Sequence, residues 1–400
     1  MDVYHFPADL AQIIDDAAGE IGEDPARLAE RVLALSDLFV GRGDWQGDYG
    51  RSPALREAYL RYYLPVNVPK VRTPLAAWLA PDPGRFAGRT LRAIDLGSGP
   101  GSALLGLCDF VRGLPPPQRP QKLELVALDQ SYENLKHAQA LVGCFGARAG
   151  LAVEVQPLRL DLVADRAELF PLAAAHGRFD LVLAANVLCE IARGSAAHVE
   201  RAAALVSAAA EELLAARGAL VIVEPGLRET ARDLHRVRDR LLRAGVLHVL
   251  APCLHEAPCP ALGADRDWCI ADLAWEPPPA VRAIARRTGL RKDSLKFSYL
   301  LLARDPSRAP APTRWRVVSD VLELKGERRV YLCADGRWIV LGQLKRGRPP
   351  AGSDFARLRR GDLVEVHGME ARGSIFRLAA HGAIRPIAPP PLAPAADGDR

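Results

Sequence analysis

Three cysteines fall within residues 252–269, PCLHEAPCPALGADRDWC. Cys253, Cys259 and Cys269 are spaced C-x5-C-x9-C in a loop rich in Pro, Gly and Asp. Such a loop lets thiolates converge, and converging thiolates bind metal. The spacing lacks the C-x2-C pairs of most zinc knuckles. Pro260 follows Cys259, and Cys-Pro is a familiar neighbour of iron–sulfur ligands. Spacing leaves both zinc and an iron–sulfur centre open. A fourth ligand is required. Cys333, in VYLCADGRW, stands in a β-rich segment far along the chain and is the first candidate. His255 is the second, although an exposed loop histidine is the commoner case. Cys108, Cys144 and Cys189 lie in apolar helical contexts and are expected to be small buried hydrophobes.

A second constellation is AIDLGSGPGS, residues 93–102. Asp95 ends an apolar run, and Gly97, Ser98, Gly99 and Gly101 form a tight turn before a helix. Glycines allow a ligand close to the backbone, and helix amides beyond can donate to a carboxylate. Asp129, Asp161 and Asn186 follow the next three apolar runs, where ligands of open α/β sheets bind. Asp129 is placed to grip ribose hydroxyls, although alone it reads equally as a helix N-cap. A dinucleotide site would usually show G-x-G-x-x-G; this turn is G-x-G-x-G. Neither NPPY nor DPPY follows the fourth run, so the signature of amino-nitrogen methylation is missing. Cys189, just beyond Asn186, is read as filler near the pocket in preference to a nucleophile.

These residues need a scaffold. Apolar runs at 91–96, 122–129, 152–158, 179–186, 218–225 and 296–304 alternate with helical stretches at 132–143, 197–216 and 229–244. That alternation predicts a largely parallel sheet covered on both faces, over residues 86–304. Residues 1–85 read as a helical module, with a helix over 53–64 broken by PVNVPKV (65–71) and resumed at 75–80. A Pro-rich linker (305–313) leads to a small β-domain of oligonucleotide-binding type at 314–385, in which ADG signals a hairpin. Residues 386–400 are expected to be disordered. The 400 residues carry a net charge of +5, which permits nucleic acid without demanding it. No apolar run approaches a membrane span. The start, MDVYHFPADL, lacks a secretory signal, and a reducing cytoplasm is the expected compartment.

Taken together, AYLRYYLPVNVPKV (58–71), DLGSGPGS (95–102), VEPG (223–226), APCLHEAPCP (251–260) with Trp268-Cys269, and KFSYLLL (296–302) resemble the methyltransferase-like small-ribosomal-subunit assembly proteins. Mitochondrial members of that family help mature the small subunit, and bacterial relatives are described as rRNA methyltransferases. The resemblance implies a class I S-adenosylmethionine-dependent methyltransferase (Rossmann-like) domain that binds S-adenosylmethionine. It also implies a [4Fe–4S] cluster on Cys253, Cys259, Cys269 and Cys333. The implied partner is the small ribosomal subunit with its 16S-type rRNA, met by a protein expected to be monomeric when free.

RNA contact is expected from Lys345, Arg346, Arg348, Arg359 and Arg360, and from Lys70 and Arg72. The helix RETARDLHRVRDRLLR (228–243) interleaves acids with its arginines and reads as a solvated face. Three functions fit: an rRNA methyltransferase, a non-catalytic assembly factor using the same fold, and a small-molecule methyltransferase with a structural zinc. The β-domain and the basic loops count against the third.

Overall fold

The computed structural model describes residues 3–19, 24–40, 52–163, 169–191, 194–305, 313–346 and 355–387. The expected linker and tail therefore lie almost wholly outside the described residues, as does Arg348.

One sheet organises most of the chain. Its strands are β1 (Tyr4–His5), β2 (Thr90–Leu96), β3 (Lys122–Asp129), β4 (Val153–Arg159), β5 (Phe179–Ala185), β6 (Leu214–Pro225), β7 (His248–Ala251), β8 (Ala271–Glu276) and β9 (Ser294–Ala303). They run in the order β1-β8-β9-β6-β5-β2-β3-β4, with β7 also on β9. Strands β2 to β6 are parallel; β9 is antiparallel to β6, β7 and β8. Alternate residues feed two cores. Ala93, Leu125, Leu181 and Val221 point to one; Ile94, Val126, Val182 and Leu220 point to the other. The direction of winding reverses between β2 and β5, and a crevice opens at the carboxyl ends of strands at such a point. This strand order, with β9 antiparallel beside the parallel strands, is the arrangement expected of the class I methyltransferase fold.

Helices α1 (Ala8–Ala18) and α2 (Pro25–Phe39) pack beside an irregular helical path. That path is α3 (Pro53–Ala58), a π turn (Tyr59–Tyr63), α4 (Leu64–Asn67), a 3-10 turn (Val68–Val71) and α5 (Arg72–Leu79). Ser52 caps α3 by accepting from the Leu55 amide, as its position before Pro53 predicts. PVNVPKV does not break the helix. Pro65 sits in the first turn of α4, where a missing N–H costs least, and Pro69 falls in the 3-10 turn. The remaining helices are α6 (Ser102–Arg112), α7 (Tyr132–Arg148), α8 (Leu169–His176), α9 (His198–Glu212), α10 (Arg228–Ala244) and α11 (Pro279–Thr288).

The C-terminal region is a barrel of β10 (Arg314–Val317), β12 (Glu327–Ala334), β13 (Arg337–Leu344), β14 (Leu363–Arg372) and β15 (Ile375–Pro386), with β11 (Leu322–Glu323) hairpinned onto β12. The pairings β10–β14–β15–β13–β12 close through β12–β10. Trp315, Val317, Leu332, Leu341, Val364 and Ile384 fill it. The ADG hairpin forms as expected: Asp335 and Gly336 both take left-handed φ, 49° and 71°, the pairing a two-residue hairpin favours.

Candidate cofactor and cysteine sites

The turn after β2 is built on three left-handed glycines, Gly97 (φ 69°), Gly99 (φ 51°) and Gly101 (φ 90°). Left-handed backbone disfavours other residues. A side chain at Gly97 would also meet Val187 Cγ2 at 2.5 Å, so the turn lies against the segment leaving β5. The Asp129 carboxylate accepts from the amides of Gly99 and Ser131, each at 2.8 Å. It thereby ties β3 to the turn. Ser131, not Asp129, caps α7. Ser98 is buried, its amide bonded to Leu128 O. Asp161 accepts from Val163 N at 2.8 Å, and Asn186 holds a left-handed φ of 56° with its amide on Val223 O. Asp95, Gly97, Ser98, Gly99, Gly101 and Asp129 thus meet at one place, with Asp161 and Asn186 on neighbouring strand ends.

Asp95 is 1% exposed, and neither carboxylate oxygen has a hydrogen-bond partner among the described residues. Burial, then the nearby Asp129 charge, pushes its pKa well above the usual carboxylate range. A buried acceptor without a donor is costly. The unpartnered carboxylate therefore fits a ligand that brings donors, as S-adenosylmethionine does with its amino and hydroxyl groups.

Sequence reasoning missed two buried charged residues near these strand ends. Glu224, near the end of β6, is 2% exposed and accepts from the amides of Leu188 (2.9 Å) and Cys189 (3.2 Å). It therefore clamps the segment after β5. Lys70, whose 3-10 turn packs on β6, is buried and donates to Asn67 Oδ1 at 2.7 Å. The fragments VEPG and VPKV were the available signal. Burial raises Glu224 from its ordinary 4.5 to about 7, against the pull of its hydrogen bonds. Burial, then Lys292, lowers Lys70 from 10.5 to about 7.

Linkage gives the sign. Between pH 4.5 and 7 folded Glu224 keeps a proton that the unfolded chain has lost, so its contribution to stability falls as pH rises. Between pH 7 and 10.5 unfolded Lys70 keeps a proton that the folded chain has lost, so its contribution rises. Urea unfolding at pH 5 and pH 7 should show a smaller loss for Glu224→Gln than for the parent. Parallel pH dependences would remove Glu224 from the account.

Lys70 is therefore no phosphate contact: it is buried. Arg72 pairs with Asp109 at 3.3 Å and lies over the Tyr4 ring. In the barrel, Lys345 pairs with Glu323 (2.7 Å) and Arg360 with Asp320 (3.2 Å). Arg346 and Arg359 are exposed.

Cys253, Cys259, Cys269 and Cys333 line one cavity, together with His235 and His255. Three come from the loop between β7 and β8, and Cys333 comes from β12 across the domain boundary. Burial, then the neighbouring thiols, raises Cys269 to about 12 and Cys333 to about 12, and pushes Cys259 higher still. His255 Nε2 lies 3.6 Å from Cys333 Sγ. Among the described residues, no group of three or more His, Cys, Asp or Glu side chains is arranged to hold a metal ion. The other cysteines do not line this cavity. Cys108 is buried as expected, but Cys189 is half-buried and Cys144 is exposed. Leu141, Val142 and Phe145 form the inner face of α7, and Cys144 falls off that stripe.

α10 was read as a solvated face. Arg228, Glu229, Arg236, Arg240 and Arg243 are indeed exposed, but two of its arginines are turned inward. Arg232 and Arg238 are buried and donate to carbonyls of the cysteine loop.

Among the described residues no helix is long and apolar enough to cross a membrane. A search of curated proteins finds no match. Among solved structures, an S-adenosylmethionine-dependent methyltransferase from Thiobacillus denitrificans, bound to S-adenosyl-L-homocysteine, is 14% identical with a TM-score of 0.30; the alignment covers 59% of this chain and 92% of that one. A counterpart from Geobacter sulfurreducens, with the same ligand, is 15% identical with a TM-score of 0.29, covering 59% and 91%. The sequence profile described as mitochondrial small ribosomal subunit Rsm22 matches residues 58–345, more than two thirds of the chain. On that match, the chain belongs to the Rsm22 family.

Proposed function

We propose that this protein binds S-adenosylmethionine at the carboxyl ends of β2–β5 and methylates RNA of the small ribosomal subunit. Unpartnered Asp95, buried beside a glycine-rich turn at the switch point, is the observation that carries the reading. The family name supplies the subunit. The bound cofactor supplies an electrophilic methyl group. Asp95 would orient it, Asp129 keeps the turn closed by accepting from the Gly99 amide, and Asn186 with the Glu224-held segment would form the acceptor side.

We further propose that the four cysteines hold a [4Fe–4S] cluster. They fit by type and by facing one cavity. Such a group would join barrel to methyltransferase body, and its binding would add to folding stability.

A second reading, a non-catalytic assembly factor, is favoured by the segment after β5: it reads NVLC where an amino-methylating enzyme has NPPY, and Glu224 ties it down. Either reading requires subunit binding. Co-sedimentation with immature small subunits should weaken steeply with salt, because phosphate contacts release counterions. Neutralising Lys345, Arg346 and Arg348 together should reduce the salt slope. Salt-independent binding, or equal binding to large subunits, would contradict both readings.

A further inference from the structure

In α10, Arg232, His235, Arg238 and Asp239 recur at intervals of three, three and one, which places them on one stripe of a helix. That stripe faces the cysteine loop. Arg232 Nη1 donates to the carbonyls of Ala261 (3.0 Å), Ala264 (2.6 Å) and Asp267 (2.7 Å). Arg238 donates to those of Ala257 (3.0 Å) and His255 (2.5 Å). Two further bonds run the other way. The Cys259 amide donates to Asp239 Oδ2 at 2.9 Å, and the Cys269 amide donates to His235 Nε2 at 3.1 Å. The loop therefore has its carbonyls gathered by two guanidinium groups and two cysteine amides fixed directly by the same helix.

We propose that Arg232 and Arg238 form a clamp that shapes the cysteine loop before any metal or cluster binds, so that the ligand thiols are preorganised rather than gathered by the metal. The idea rests on reading these cysteines as a ligand set, but the clamp is a property of the metal-free chain.

Charge supports it. Arg238 is fully buried, and a buried guanidinium is tolerated only when well compensated. Here Asp239 and two carbonyls compensate it, while its Nε has no partner among the described residues. Cys253 and Cys259 lie in its field. Arginine is required over lysine because its planar fork reaches several carbonyls at once. The helix that holds the loop also packs on β6 and β9, so the clamp anchors the cysteines to the methyltransferase sheet.

The test uses the full chain, metal-free and reduced. Alkylation rates of Cys253, Cys259 and Cys269 are compared with exposed Cys144 as an internal reference, and hydrogen exchange is followed over residues 255–269. The parent should alkylate at least about tenfold more slowly at the loop than at Cys144, with the Cys259 and Cys269 amides protected. Arg238→Gln should raise the loop rate by about tenfold or more, the consequence of losing charge-assisted hydrogen bonds. Arg238→Lys should restore part of the protection. Arg240→Gln, on the outer face of the same helix, should change nothing. If Arg238→Gln does not fold, Arg232→Lys gives the milder perturbation, and the parent's own protection remains decisive. A metal-free parent whose loop reacts as fast as Cys144 would overturn the clamp. So would an Arg238→Gln loop as protected as the parent's. A protected loop that then takes up neither iron nor zinc would uphold the clamp and sink the ligand reading.

Discussion

A Gly99→Arg chain is expected to bind S-adenosylmethionine at least about 100-fold more weakly than the parent, a loss of roughly 2.7 kcal/mol. Two effects act together. Gly99 holds a left-handed φ of 51°, which a side chain strains. The arginine also places a long charged side chain at the proposed cofactor site. The Gly99 amide bond to Asp129 is the part most exposed to damage, so thermal melting must accompany calorimetry. Asp95→Asn is the gentler companion: it keeps the volume and removes the unpartnered carboxylate. If both variants fold and bind as the parent does, the cofactor lies elsewhere.

Cys333→Ser is expected to remove most of the iron and sulfide from anaerobically purified protein, while Cys144→Ser leaves both unchanged. Cys333 is the sole member of the set from the barrel, paired on β12 with Trp338 of β13. Its removal should also loosen the barrel. The hairpin tip packs closely on the cysteine loop: a side chain at Gly336 would meet Ala257 Cβ at 2.7 Å. Part of the docking is therefore independent of metal, and faster proteolysis between the domains should be partial rather than complete. Stoichiometric zinc without iron or sulfide in the parent would keep the ligands and reject the cluster.

The glycine turn and the residues at the strand ends were legible in the sequence because their requirements are local. A left-handed turn asks for glycine, and strand ends in a parallel sheet ask for short polar residues. Gly97, Gly99, Gly101, Asp129 and Asn186 declare themselves for those reasons. The ADG hairpin did so too. Long-range requirements leave weaker traces. Lys70 reads as a surface cation until the fold lays its turn against β6. Arg232 and Arg238 look solvated among the acids of α10, yet these two lie on its buried face and meet carbonyls rather than water. β8 was missed because its partner β9 lies beyond an intervening helix, α11, so nothing local marked the pairing. The prolines of 65–71 suggested a break because the π and 3-10 turns that absorb them depend on burial from all sides.

The most direct measurement is transfer of a labelled methyl group from S-adenosylmethionine to immature small ribosomal subunits, with RNA and protein separated afterwards. The account predicts label in the RNA of the small subunit, dependent on Asp95 and Gly99 and absent with large subunits. Full cofactor and subunit binding with no label in RNA would contradict it, and would leave the fold as a binding module.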